Sequence, residues 1–255
     1  MPIAKKATKA DTFLKVMCWG DPGGGKTRLA LSFPSPLVID LERGSRLYAD
    51  QFEFLVAEPT PALPPHGLVR QVVEELEAGE YPEVRTLVID PITDYLDALE
   101  AQLIKQEERN GVNLAALKGP QKAQVYARIK DGIRERLNKL LQLPVHIVFV
   151  ARAKNQWAQE EGKMQVVGRT ADANEIVDYL CDIVIHLQKG GTGVVRKSRL
   201  AELPDAIKAV SYADIAKALG EAPAILKPAG KAATKAAPTA DEVANAAAAG
   251  IAKGA

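Results

Sequence analysis

The chain has 255 residues, a hydrophobic share of 47% and a formal net charge of +1. That length suits one good-sized domain with an appendage. The near-neutral charge excludes a protein that holds a polyanion by bulk charge, so any nucleic-acid contact must come from a local basic patch.

Residues 1–11 are polar and basic and read as a flexible arm rather than a signal peptide. The strong periodic patterns lie in residues 12–220, read as one domain. Phe13–Trp19 is the first apolar run and predicts a strand. The glycine-rich stretch Gly20–Thr27 follows, leading into a helix over Gly25–Ser32. Further strands are predicted at Leu37–Asp40, Phe54–Ala57, Thr86–Asp90, Val145–Ala151, Cys181–Leu187 and Val194–Lys197. Helices are predicted at Leu68–Ala78, Asp94–Arg109, Gln121–Leu141, Asn174–Tyr179 and Tyr212–Leu219. Several strands are apolar nearly throughout, the pattern of a parallel sheet covered on both faces. Alternation of strand and helix predicts an open α/β sheet. The Gly190-Gly191 pair predicts a hairpin between the last two strands. Residues 221–255 turn rich in alanine, lysine, proline and glycine, so a largely disordered tail is expected, with a transient helix over Ala240–Lys253.

Cys18 and Cys181 sit in apolar runs and read as buried thiols of a reducing compartment. Neither they nor His66, His146 and His186 have metal-ligand spacing. No run approaches the ~18–20 apolar residues that span a bilayer. A cytoplasmic protein with no membrane partner is the expectation.

The residues Gly20, Asp21, Pro22, Gly23, Gly24, Gly25, Lys26 and Thr27 satisfy G-x-x-x-x-G-K-[ST], between a strand and a helix. Glycines let backbone N–H groups approach phosphate oxygens closely, and the new helix aims its positive end at them. Lys26 then meets the β- and γ-phosphates, and the Thr27 hydroxyl is placed to ligand Mg²⁺. ATP with Mg²⁺ is the expected cofactor pair, with Arg28 beside the loop and Tyr48 as a stacking partner for the base. Asp90 closes the buried run Thr86–Asp90 and reads as the second metal residue, with helix capping as the bland alternative. Glu42, just past the run Leu37–Asp40, is a carboxylate placed to orient or deprotonate water. On spacing alone, a loop glutamate with no such role is the commoner case.

Together, Gly20–Thr27, Asp40-Leu41-Glu42 and Leu87–Asp90 resemble the RecA-like branch of P-loop ATPases over about residues 12–200. Closest in size are short phage-encoded members implicated in single-strand annealing and recombination. The resemblance implies a RecA-like P-loop core with a C-terminal β-hairpin, and an enzyme whose hydrolysis is stimulated by DNA. It assigns the water-activating role to Glu42. It also implies a basic pair reaching a neighbouring subunit's γ-phosphate, which Lys197 and Arg199 match, and hence a homo-oligomer, filament or ring. Arg152 stands where this group carries a polar sensor.

Two loops bind single-stranded DNA in that group. They correspond here to Glu108–Lys122, with Arg109, Lys118 and Lys122, and to Lys154–Arg169, with Lys154, Trp157, Lys163 and Arg169. Cations neutralise phosphates and an aromatic ring stacks on bases. A single-strand-binding or replication protein is the further partner implied, in a bacterial or phage-infected cell. Two rival readings remain: a hexameric helicase or DNA-packaging motor on the same core, and a non-catalytic module gated by nucleotide.

Overall fold

In the computed structural model the described residues are 12–160 and 163–220. The arm at 1–11 and the tail at 221–255, with its expected helix, lie outside them. In chain order the elements are β1 (Lys15–Gly20), α1 (Lys26–Leu31), β2 (Pro36–Asp40), β3 (Leu55–Ala57), α2 (Pro65–Ala78), β4 (Thr86–Asp90), α3 (Ile92–Arg109) and α4 (Gly119–Leu141). Then come β5 (His146–Glu160), β6 (Lys163–Ala171), α5 (Glu175–Leu180), β7 (Ile183–Leu187), β8 (Gly193–Ser198), β9 (Ala206–Ile207) and α6 (Tyr212–Leu219).

The sheet runs β3-β2-β4-β5-β1-β7-β8-β9, with β6 paired to β5 alone. All pairings from β3 through β7 are parallel; β7–β8, β8–β9 and β5–β6 are antiparallel. The topology is that of an open α/β core, mostly parallel and flanked by helices, and the expected β7–β8 hairpin is present.

Period-two alternation divides each buried strand between two cores. Met17, Ile39, Leu87, Ile89, Ile147 and Phe149 face α2, α3 and α4. Val16, Cys18, Val38, Val88, Val148 and Val150 face α1 and α6. Every residue of β2 and of β4 is buried, which is why those runs read as apolar rather than alternating.

Both cysteines are free and buried, and desolvation pushes each thiol well above its ordinary range. His146 is structural: its buried Nδ1 accepts the Leu14 N–H at 3.0 Å. Among the described residues no helix is long and apolar enough to cross a membrane.

Two expectations need correction. The strand expected to stop at Ala151 runs on to Glu160, and Lys154–Arg169, expected as a loop, is an antiparallel ribbon with a bulge at Gln156/Trp157. Residues 154–157 and 163–167 are exposed, and the one partly apolar face, with Trp157, Met164 and Val166, is too broken by polar residues to mark a strand. The short β9 was likewise missed. Lys197 and Arg199 do not share a strand: β8 stops at Ser198.

Candidate nucleotide site

Register brings the strand ends together. Asp40 pairs with Asp90 across β2 and β4. Gly20 pairs with Arg152 on one side and Leu187 on the other. Ligands of open α/β sheets bind beyond such carboxyl ends.

The loop between β1 and α1 is shaped by close backbone approach. A Cβ on Gly20 would lie 2.1 Å from the Leu187 carbonyl oxygen, and one on Gly24 3.1 Å from the same atom. Gly25, the residue before α1, has φ of 90°, a left-handed conformation that favours glycine. The Lys26 ammonium donates to the Gly20 and Asp21 carbonyls, each at 3.0 Å, and so stands over its own loop. Under the loop, Trp19 stacks on His186 with centroids 3.9 Å apart. Burial and the adjacent Arg196 lower the His186 pKa.

The Thr27 hydroxyl donates to Asp90 Oδ2 at 2.8 Å, joining the start of α1 to the end of β4. Burial raises the Asp90 pKa to about 6; Glu42 and Asp40 push the same way, against the Thr27 bond and Lys26. A buried carboxylate with a raised pKa is one that gains from a cation. Among the described residues no cluster of three His, Cys, Asp or Glu side chains is placed to hold a metal alone. A Mg²⁺ at Thr27 and Asp90 would therefore complete its shell with phosphate and water, as this ion usually does. The glycine cradle, the lysine and this hydroxyl–carboxylate pair fit a magnesium nucleotide.

Glu42 lies just beyond β2 and is half-exposed. Its position is set by its neighbours. Buried Asp40 accepts from the Ser45 N–H at 2.7 Å and the Ser45 hydroxyl at 2.5 Å, tightening the turn that presents Glu42. Arg152, on β5, donates to Glu42 Oε1 through Nε at 2.9 Å and Nη2 at 2.6 Å. The same guanidinium bonds Asp94 on α3 at 2.7 and 2.9 Å. Burial works against the Arg152 charge, but the two carboxylates outweigh it and raise its pKa. Asp94 and Asp40 were not singled out from sequence as site residues. Asp94 was visible only as the start of a helix, and Asp40 only as the strand end that opens the Asp40-Leu41-Glu42 element.

The remaining predicted residues divide. Arg28 bonds Gln51 at 3.0 Å, and its guanidinium lies 6.0 Å from the Phe52 ring centroid. Tyr48 packs with Phe52 and Phe54 against the α1-side core. Lys197 donates to the Asp178 and Tyr179 carbonyls at 2.8 and 2.9 Å, near the end of α5. Arg199 bonds Asp182 at 2.8 Å. Within one copy of the chain, both cations are thus held on the β7 side of the sheet.

The ribbon is joined directly to the phosphate loop. Arg169 Nη2 bonds Asp21, while its Nη1 donates to Asn155 at 2.7 Å. Asn155 and Trp157 project to the same face of β5. Trp157 is 56% exposed, pairs with exposed Val166, and is followed by the Gln159–Met164 pair. Lys154 bonds Asp172 at 3.3 Å, and Lys163 is exposed. Lys118 precedes α4, and Lys122 lies in its first turn. Both are exposed, and among the described residues no hydrogen bond or ion pair joins either to the loop or the ribbon.

A glycine loop wedged between strand and helix, with a hydroxyl–carboxylate pair across neighbouring strand ends, defines a P-loop nucleotide-binding protein. More particularly, the chain belongs to the AAA domain family, whose model matches residues 12–202. No curated protein matches it. Among solved structures it is similar to the RadB recombinase, at 14% identity and a TM-score of 0.44, over 76% of this chain and 84% of that one.

Proposed function

We propose that this chain binds and hydrolyses ATP with Mg²⁺, and that it works as a homo-oligomer on single-stranded DNA, in recombination or annealing of the phage type. The observation that carries the ATP reading is the 2.8 Å bond between Thr27 and Asp90 beside the lysine-bearing loop. These are the two groups a nucleotide-bound Mg²⁺ needs.

Lys26 neutralises the β- and γ-phosphates, and Thr27 and Asp90 would hold the Mg²⁺ that adds positive charge there. Glu42 orients the attacking water and takes its proton. Arg152 holds Glu42 through two hydrogen bonds, and an ion-paired carboxylate is a weak base. Turnover therefore requires the guanidinium to shift toward Asp94 and the γ-phosphate, which frees Glu42 and supplies positive charge where it develops. Lys197 and Arg199 are the cations offered to a neighbouring copy, Arg199 after leaving Asp182. Trp157 stacks on bases, while Lys154, Lys163 and Arg169 on the ribbon, with Lys118 and Lys122, meet the phosphates.

The test is Glu42→Gln. Binding of Mg-ATP should be retained while turnover falls about 10²–10⁴-fold, the usual contribution of a positioned general base. Normal hydrolysis by this variant would remove Glu42 from the mechanism. The Glu42–Arg152 ion pair also favours a second reading, a nucleotide-gated binding module without turnover. Tight ATP binding with no hydrolysis by the unaltered chain would establish that reading.

A further inference from the structure

Helices α3 and α4 run antiparallel, with Glu107 bonded to Arg128 and Leu103 against Gly132. Where α2 meets this pair there is a cavity of about 140 Å³. Its apolar wall is formed by Val69, Val73, Tyr95, Leu99 and Leu140. That volume is about what an engineered apolar cavity needs to admit a six-membered ring, so a leucine-sized side chain fits.

The cavity does not end there. A second hollow of about 480 Å³ shares His66 and Gln102 with it and continues along α3 past Ala98 and Ala101 to Lys105 and Arg109. From Tyr95 to Arg109 the groove follows about 21 Å of helix, which an extended peptide of about six residues would cover.

Charge is distributed one-sidedly along it. The lining includes Arg70, Arg136 and Lys139 around the inner cavity and Lys105 and Arg109 along the outer one, with no acidic residue. In a chain of net charge +1 that is a local excess. Three of these cations have outward partners, Glu74, Glu135 and Glu77. Lys105 and Arg109 have no ion pair among the described residues. At the junction of the hollows, His66 Nδ1 is the one buried side-chain polar atom without a hydrogen-bond partner among those residues. Burial, Lys105 and Arg70 lower the His66 pKa, so the ring tends to be neutral and able to meet a peptide group as donor or acceptor.

We propose that this groove is a docking site for a short acidic peptide of a partner protein, whose apolar side chain fills the inner cavity while its carboxylates lie along Lys105 and Arg109. The segment at 221–255 is a poor match, because its four lysines outnumber its three carboxylates and only Asp241 and Glu242 are adjacent. Arg109 also borders the first basic loop considered for DNA. The apolar inner wall nevertheless favours a side chain over a phosphate backbone.

The probe is a fluorescent hexapeptide with one terminal leucine and five alternating glutamate and aspartate residues, titrated with the full chain by anisotropy in both sequence directions. Binding is expected in one direction. Replacing its leucine by glycine should weaken binding about tenfold or more. Lys105→Glu with Arg109→Glu should do the same, and Ala98→Trp should block the groove; circular dichroism checks that each variant is folded. No binding of either peptide would overturn the proposal. So would a leucine-independent affinity, or displacement by single-stranded oligonucleotide that binds the same groove more tightly; the latter would make the surface a nucleic-acid contact.

Discussion

The strand ends that carry Lys26, Thr27 and Asp90 differ from the ribbon that carries Trp157 and Arg169 in what holds them. The first are clamped by the sheet. Gly20 lies against a backbone carbonyl, β4 is buried along its length, and Asp90 is 8% exposed. The ribbon has one partner strand and no cover on the face bearing Trp157, Val166 and Met164, and Arg169 ties it to Asp21 through a single side chain. Preorganised charge suits phosphate chemistry, whereas a lightly held ribbon can move with what it binds. Asp21 belongs to both regions, so whatever moves the loop reaches the ribbon through Arg169.

The largest effect expected is at the clamped end. Lys26→Ala should weaken Mg-ATP binding about 100-fold, the scale of a charge-assisted contact removed from a phosphate site, as measured by calorimetry. Undiminished affinity would break the comparison at its firmer side.

Asp90 adds a pH dependence. Its pKa is raised from 3.8 to about 6 in the folded chain. The folded state therefore holds this proton more tightly than the unfolded state. Its contribution is fully present below about pH 4 and is lost as pH rises through 6, a loss of about 3 kcal/mol by neutral pH. Asp90→Asn should accordingly raise the melting temperature at pH 7 while abolishing Mg²⁺ dependence. In the unaltered chain, Mg²⁺ affinity should fall below pH 6 as the carboxyl protonates. A Mg²⁺ affinity flat from pH 5 to 7.5 would contradict the burial argument.

On the ribbon the effects should be smaller. Trp157→Ala should cost about 1–3 kcal/mol of single-strand affinity, the worth of one stacked base, read by anisotropy at fixed salt. Arg169→Ala is expected to be milder still on ATP affinity, about two- to fivefold, because an exposed ion pair contributes up to about 1 kcal/mol. Its diagnostic effect is to uncouple DNA affinity from the bound nucleotide.

This contrast also explains what the sequence made legible. Buried strands announced themselves as apolar runs, and the loop motif carried its own punctuation in glycines, so β1, β2, β4, β7 and the phosphate loop were readable within a residue or two. The β5–β6 ribbon was not: its residues are exposed on both strands, its pairing depends on backbone alone, and periodicity has nothing to report. The Arg152 bonds to Glu42 and Asp94 were unreadable for another reason. They join residues 110 and 58 positions apart, and no local pattern encodes such a meeting. Arg152 was picked out by its place after a strand; that it grips the candidate base emerged only from the registers of β5 beside β4 and of β4 beside β2.

The central claim is that the phosphate site and the ribbon form one machine. Steady-state ATP hydrolysis by the full chain, with and without saturating single-stranded DNA and with solution mass followed in parallel, tests it most directly. The rate should rise severalfold or more with DNA as larger assemblies form. Hydrolysis at the same rate with and without DNA, from a chain that stays monomeric, would contradict it.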